Sequence, residues 1–310
     1  MFKLNREELI KSQRIILGDW VNEDLDNIEV ALQKLESLTG TKVVQRGRVI
    51  AFRSTDTDRL YSAFKAATYL GKYDDMQNID RFLFKMVKSH HSYEPIRGEE
   101  IAFLYIGVGK PVYDHIITYT AGRNTRIAGG QRANLPWGIE VPVETKDKEG
   151  YINRNWQRIE NVINLIGKGE EQPEVKEQLQ AARSELPVGY IMPPFIYEFS
   201  EEALAKHVFR QRLWEQGAQG GTVDIINNMW ECCLELDNEK WGTLLEYHGP
   251  HTVAWEKAMR TLRDKQYTFK ELCSLHFDKL GNVDLDAPLY EIIMNTVGKM
   301  QKTMWDKMNL

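Results

Sequence analysis

The chain has 310 residues, with 40 lysines and arginines against 45 aspartates and glutamates, a formal net charge of −5 at pH 7 and 42% hydrophobic residues. Its apolar content is enough to bury a core unaided, and the mildly acidic balance argues against whole-molecule attraction to a nucleic-acid polymer or an anionic membrane. No run reaches the roughly eighteen apolar residues of a membrane span, and residues 1–13 lack the apolar centre of a signal peptide, so a cytoplasmic location is expected.

Residues 24–38 carry the apolar period of an amphipathic helix, and residues 41–53 read as a hairpin-like stretch with Val43, Val44, Val49, Ile50 and Phe52. Thr55 and Asp56 are expected to cap a helix containing Leu60, Phe64 and Ala67, and a second helix is expected over residues 78–87. A turn of Ser89, His90, His91 and Ser92 follows. Residues 101–108 then alternate and are rich in aromatic and branched side chains, the pattern of a strand facing a core. After Pro111 a helix leads to residues 119–132, whose Gly-Arg-Asn-Thr-Arg-Ile-Ala-Gly-Gly-Gln-Arg run (122–132) reads as a loop. Its glycines would let backbone N–H groups approach a phosphate, with Arg123, Arg126 and Arg132 nearby. The run matches neither the Walker A pattern nor the dinucleotide fingerprint.

Pro136, Gly138, Pro142 and the charged residues 146–150 punctuate a loop, after which residues 153–166 and 174–184 read as helices, the second presenting Arg183 at its C-terminus. A Leu186-Pro187 break and an aromatic run from Phe195 to Phe199 lead into a helix in which Leu204, Val208, Phe209 and Leu213 recur at helical spacing. That spacing places Arg212 on the flank of the buried stripe, where a guanidinium either snorkels or meets an anion. Ile225, Ile226, Met229 and Trp230 mark a buried helix that carries Cys232 and Cys233, at least one of them expected to pack in the core. With Cys273 the cysteines number three, which makes no disulfide framework, and neither adjacent thiol sits in a pattern expected of a nucleophile. His248 and His251 have metal-ligand spacing, but Pro250 interrupts them and no third ligand is near, so no metal site is expected. Residues 253–262, 269–280 and 289–308 read as three further helices.

Taken in order, two blocks of this chain resemble those of flavin-dependent thymidylate synthases, the ThyX family. Arg183 before Leu186-Pro187, the aromatic run 195–199, His207 and Arg212 in the helix, and Ala218-Gln219 after it follow the order of that family's second block. The Ser89–Ser92 turn and the strand after it resemble its first. The resemblance implies an α+β fold with a small antiparallel sheet and long helices over residues 1–246, and it leaves residues 247–310 as a helical C-terminal extension. It implies nucleotide binding by Arg183, Arg212, Gln131 and Arg132, and cofactor contacts from His90, His91, Ser92, Arg123, Arg126 and His207. It further implies FAD, methylenetetrahydrofolate and NADPH as cofactors, a pyrimidine deoxynucleoside monophosphate as substrate, and a homo-oligomer.

The family signature itself is altered. Where an Arg-His-Arg triplet is expected, this chain has Ala121-Gly122-Arg123, and the signature serine and glutamate fall near Gly129 or Gly130 and Ala128. Three readings follow: C5 methyl transfer to deoxyuridylate, a hydroxymethylase-like change of reaction on deoxyuridylate or deoxycytidylate of the kind expected of a bacteriophage nucleotide-modifying enzyme, or a nucleotide-binding protein without catalysis.

Overall fold

The computed structural model describes residues 26, 29, 33, 47–56, 59–71, 94–117, 125–128, 138–142, 145–169, 172–215, 220–281 and 286–298. Among them four strands form one antiparallel sheet in the order β1-β2-β4-β3, with β1 Arg48–Ser54, β2 Glu100–Ile106, β3 Thr125–Ala128 and β4 Phe195–Ser200. The fold is α+β, as expected.

The central strand β2 reads Glu-Ile-Ala-Phe-Leu-Tyr-Ile, and its residues 101–106 are buried on both faces. On one face Phe103 lies opposite Tyr197 and Tyr105 opposite Phe195, the latter pair stacked with ring centroids 4.7 Å apart. Such cross-strand aromatic pairs fix the register, because a slip of one residue would turn the whole set outward. The partner of β1 is β2, with a bulge between Ala51 and Arg53, so the expected hairpin is corrected in its described half. The remainder of that hairpin, 41–46, and the expected helix over 78–87 lie outside the described residues.

The helices are α1 Leu60–Leu70, α2 Glu94–Arg97, α3 Lys110–Ile117, α4 Lys148–Gly167, α5 Pro173–Ser184, α6 Gly220–Leu236, α7 Asn238–His248, α8 Pro250–Lys265, α9 Phe269–Leu280 and α10 Leu289–Thr296. Asp56 caps α1 by accepting from the Ser62 N–H at 3.3 Å, close to the expected cap. Two boundaries differ from expectation. Asp147 caps α4 through the Gly150 N–H at 2.9 Å, which turns the charged 148–150 stretch into a first helical turn rather than a loop. α10 stops at Thr296, where the Gly298 N–H reaches back to the Ile293 carbonyl at 3.1 Å, and residues 299–308 of the expected helix lie outside the described residues.

Between β4 and α6 the chain makes a short α turn, Glu201–Ala203, and then a π-helix, Leu204–Trp214. The apolar spacing of Leu204, Val208, Phe209 and Leu213 predicts an ordinary α-helix here. Its buried set is Leu204, Ala205, Val208, Phe209, Leu213 and Trp214, at separations of 1, 4, 5, 9 and 10 from Leu204. A helix bonded i to i+5 aligns that set on one side, whereas an α-helix would bring residues 207 and 211 inward. The Glu215 N–H bonds the Arg210 carbonyl at 2.8 Å and closes the last wide turn.

The core joins one sheet face to this π-helix and to α6. Phe209 meets Trp230 and Trp241 edge to face at 5.2 and 5.6 Å, and Trp214 meets Trp230 at 5.8 Å. Cys233 is fully buried in it, and burial pushes its thiol far up, so it behaves as a packing residue. Val253 of α8 joins the same core, so the C-terminal segment is packed onto the rest through its first helix. No helix among the described residues is long and apolar enough to cross a membrane.

Candidate functional site

Three backbone segments fasten the ends of the site together. Residues 108–110 leave β2, residues 138–140 precede α4, and residues 189–192 precede β4. The Met192 N–H bonds the Val108 carbonyl at 2.8 Å, the Lys110 N–H bonds the Tyr190 carbonyl at 3.0 Å, and the Ile191 N–H bonds the Gly138 carbonyl at 2.8 Å. The Glu140 N–H bonds the Gly189 carbonyl at 2.7 Å. The strip carries the chain from Arg183, at the end of α5, through Leu186-Pro187 to Tyr190 beside α3.

The short helix α3 is therefore the floor on which separate elements meet. Lys110 pairs with Asp114 one turn on and lies 5.7 Å from the Tyr113 ring centre, while Tyr113 packs edge to face on Phe195 at 4.9 Å. His115 Nδ1 is 2.9 Å from the Thr222 hydroxyl at the start of α6. Burial raises the Tyr190 phenol, Asp114 and Tyr113 raise it further, and Arg183 acts in the opposite sense. Burial lowers the His115 imidazole, Arg212 lowers it further, and Asp114 opposes both. Asp114 thus bears on both Tyr190 and His115, whereas Arg183 bears on Tyr190 and Arg212 on His115.

Glu140 closes the far end of α3. Its carboxylate accepts from the Gly109 N–H, and burial raises its pKa against that hydrogen bond, with Asp224 adding to the rise. A Cβ on Gly221 would stand 2.6 Å from Glu140 Oε1, so glycine there permits the close approach of α6 to this carboxylate.

Arg183, at the end of α5, and Arg212, in the π-helix, are each half-buried, the first bearing electrostatically on Tyr190 and the second on His115. His207 is half-buried one π turn before Arg212, the separation of five that i to i+5 bonding puts one above the other. Arg210, two residues before Arg212, is committed elsewhere: its Nε is 2.9 Å from Glu215, and its Nη2 pairs with Glu256 of α8. The expected loop over 122–132 is corrected at its centre, where Thr125–Ala128 forms β3 and Arg126 stands in register with Glu198 of β4. Its branched residues suit an edge strand, and the pairing engages backbone groups that a phosphate cradle would have needed. His90, His91, Ser92, Arg123, Gln131 and Arg132 lie outside the described residues.

Tyr113, Asp114, His115, Tyr190, Thr222 and Glu140 were not anticipated from sequence. The run Lys-Pro-Val-Tyr-Asp-His directly after a buried strand, and the glycine pair before Thr222, were the available signals. Among the described residues no group of three or more His, Cys, Asp or Glu side chains could hold a metal ion.

No family model matches the chain, and no curated protein matches it. Among solved structures it is similar to a UMP/dUMP methylase, PolB from Streptomyces cacaoi, bound with 5-Br dUMP, at 12% identity and a TM-score of 0.49 over 66% of this chain and 97% of that one. At this level it is a likeness of chain trace and nothing more.

Proposed function

We propose that the chain is an enzyme that binds a pyrimidine deoxynucleoside monophosphate beside α3 and transfers a one-carbon unit to C5 of its base. The observation that carries this reading is that Arg183, at the end of α5, bears electrostatically on Tyr190, and Arg212, in the π-helix, bears on His115, while the Tyr190 carbonyl accepts from the Lys110 N–H at the start of the helix that carries His115. Guanidinium groups offer forked donors that match phosphate oxygens, and a pair of them suits a phosphomonoester better than an extended polymer. The weakly acidic whole-chain charge agrees with a free nucleotide.

In this reading Arg183 and Arg212 fix the phosphate, and the base lies over α3. Tyr190, with its phenol held protonated by burial, remains a hydrogen-bond donor at neutral pH. Tyr113 offers an aromatic edge for stacking. These groups bind, orient and desolvate the substrate, so that the C5 carbon is presented to a one-carbon donor in a fixed pose.

Of the residues that the resemblance assigns to a flavin, His207 is the one whose side chain is described, and its position one π turn from Arg212 fits a group bound next to the nucleotide. A reduced flavin, recharged by NADPH, would supply the hydride equivalent that turns a folate-borne methylene into a methyl group.

The test is direct. Purified protein is incubated with deoxyuridylate or deoxycytidylate, methylenetetrahydrofolate, FAD and NADPH, and the nucleotide product is read by mass spectrometry. A methyl or hydroxymethyl nucleotide supports the reading and tells the two transfers apart. Unchanged nucleotide with both substrates, from protein that binds them, would reduce the proposal to nucleotide binding.

A further inference from the structure

We infer that Glu140 is a positioning residue of this site: its one carboxylate is the anion on which the starts of α3 and α6 both close, and it thereby sets where α3 presents Tyr113. The inference rests on the nucleotide reading above and adds to it a residue that acts through the helices it holds.

Glu140 is itself fixed. Its N–H bonds the Gly189 carbonyl at 2.7 Å, and Ile139 before it is fully buried with Trp156 and Ile159 of α4. The carboxylate reaches the start of α3, where each backbone N–H is accounted for. The Lys110 N–H goes to the Tyr190 carbonyl at 3.0 Å, Pro111 has none, and the Gly109 N–H goes to the Glu140 carboxylate. The other oxygen, Oε1, faces the first turn of α6 at Gly221.

Three glycines surround this one residue. A Cβ on Gly109 would collide with Oε2 and stand 3.0 Å from Cδ, one on Gly221 would stand 2.6 Å from Oε1, and one on Gly189 would stand 2.9 Å from the Glu140 carbonyl oxygen. None of the three has a φ in the left-handed region, so the close approach of Glu140, not the backbone conformation, calls for glycine at each.

Both helices need such an anion. The first N–H groups of an α-helix have no partner within it and form the positive end of its dipole. Neither α3 nor α6 has an acidic residue in its first turn, and α3 begins with Lys110. Two positive ends brought to one place repel unless a negative group stands between them, and Glu140 is that group. Further along α3 the two helices meet again, where His115 Nδ1 lies 2.9 Å from the Thr222 hydroxyl. Tyr113, the aromatic edge offered to the base, sits on α3 between these two fastenings.

Chemical rescue reads the role. Glu140→Ala vacates the place of the carboxylate and should weaken deoxyuridylate binding about three- to tenfold, the worth of one anion at helix N-termini. Formate should restore both the affinity and the thermal midpoint of Glu140→Ala, whereas the bulkier anion Mes at equal concentration should not. The wild type in each salt corrects for screening and for competition at the arginines. The sign separates two roles. A carboxylate that only repelled the phosphate would make Glu140→Ala bind more tightly and formate weaken it again; a positioning anion gives the reverse. Glu140→Gln fills the same space without the charge and keeps the test open if Glu140→Ala does not fold. Its thermal midpoint should lie below that of the wild type and should not respond to formate. A Glu140→Gln variant as stable as the wild type overturns the inference and leaves the two-arginine site standing. So does a folded Glu140→Ala that binds deoxyuridylate like the wild type or gains nothing from formate. Wild-type protein that does not bind deoxyuridylate overturns the nucleotide reading, and the positioning role with it.

Discussion

Lys240 Nζ lies 2.8 Å from Glu201 Oε1, and both side chains are almost completely buried, 0% and 1% exposed. Asp56 adds its carbonyl at 3.3 Å and its carboxylate at 3.9 Å from the same ammonium. Burial lowers the Lys240 pKa, but Glu201, Asp56 and Asp237 outweigh it, so the lysine stays charged. The cluster joins the loop before α1, the start of the π-helix segment and the first turn of α7. It therefore anchors the element that carries His207 and Arg212.

Burial pushes the Glu201 carboxyl up to about 7 despite the attraction of Lys240. Between the ordinary carboxyl range and that value the folded chain holds a proton that the unfolded chain has lost. The stability that this contributes is complete below about pH 4.3, declines as pH rises to about 7, and stays flat beyond. Urea denaturation at a series of pH values should show that decline, and Glu201→Gln should flatten it. An unchanged slope in the variant would place the titration elsewhere.

Above about pH 7, where Glu201 is ionised, removal of one partner from this buried ion pair leaves an uncompensated charge. Lys240→Met should cost roughly 3–5 kcal/mol, and the double variant Lys240→Met with Glu201→Gln should recover part of that loss. Additive losses in a denaturation cycle would show that the pair is not coupled.

Phe209 and Arg210 are neighbours with separate duties. Phe209→Ala should cost about 3–5 kcal/mol, because it empties the space among Trp214, Trp230 and Trp241. Arg210 pairs with Glu256 on side chains that are 28% and 43% exposed, so Arg210→Ala should cost under about 1 kcal/mol and leave deoxyuridylate affinity unchanged. A large loss of affinity in Arg210→Ala would exchange the roles given to Arg210 and Arg212.

Much of the fold was legible because the local signals are strong. The alternation in residues 101–108 predicts β2, the aromatic run 195–199 predicts β4, and Asp56 predicts the cap of α1. The π-helix was missed, although Leu204, Ala205, Val208, Phe209, Leu213 and Trp214 carry its spacing; four of the six also fit an α-helical period, which is far commoner. The strand β3 was missed because glycines and arginines surround its four residues, and its edge position depends on a partner seventy residues away in β4. Arg183 and Arg212 were legible as guanidinium groups at element ends. The groups beside them were not, since Tyr190 reaches α3 only through backbone pairing of residues 189–192 with 108–110, and Thr222 meets His115 from 107 residues further along the chain.

The central claim is that Arg183 and Arg212 hold one phosphate. Titration calorimetry of folded Arg183→Ala and Arg212→Ala with deoxyuridylate and with deoxyuridine tests it most directly. Each variant should bind the monophosphate more weakly by roughly 1.5–3 kcal/mol, about ten- to a hundredfold, with Arg→Lys losing a smaller part. Deoxyuridine affinity should hardly change, which separates loss of a phosphate contact from a general disturbance of α5 or the π-helix. Wild-type affinity for deoxyuridylate in both alanine variants would contradict the site.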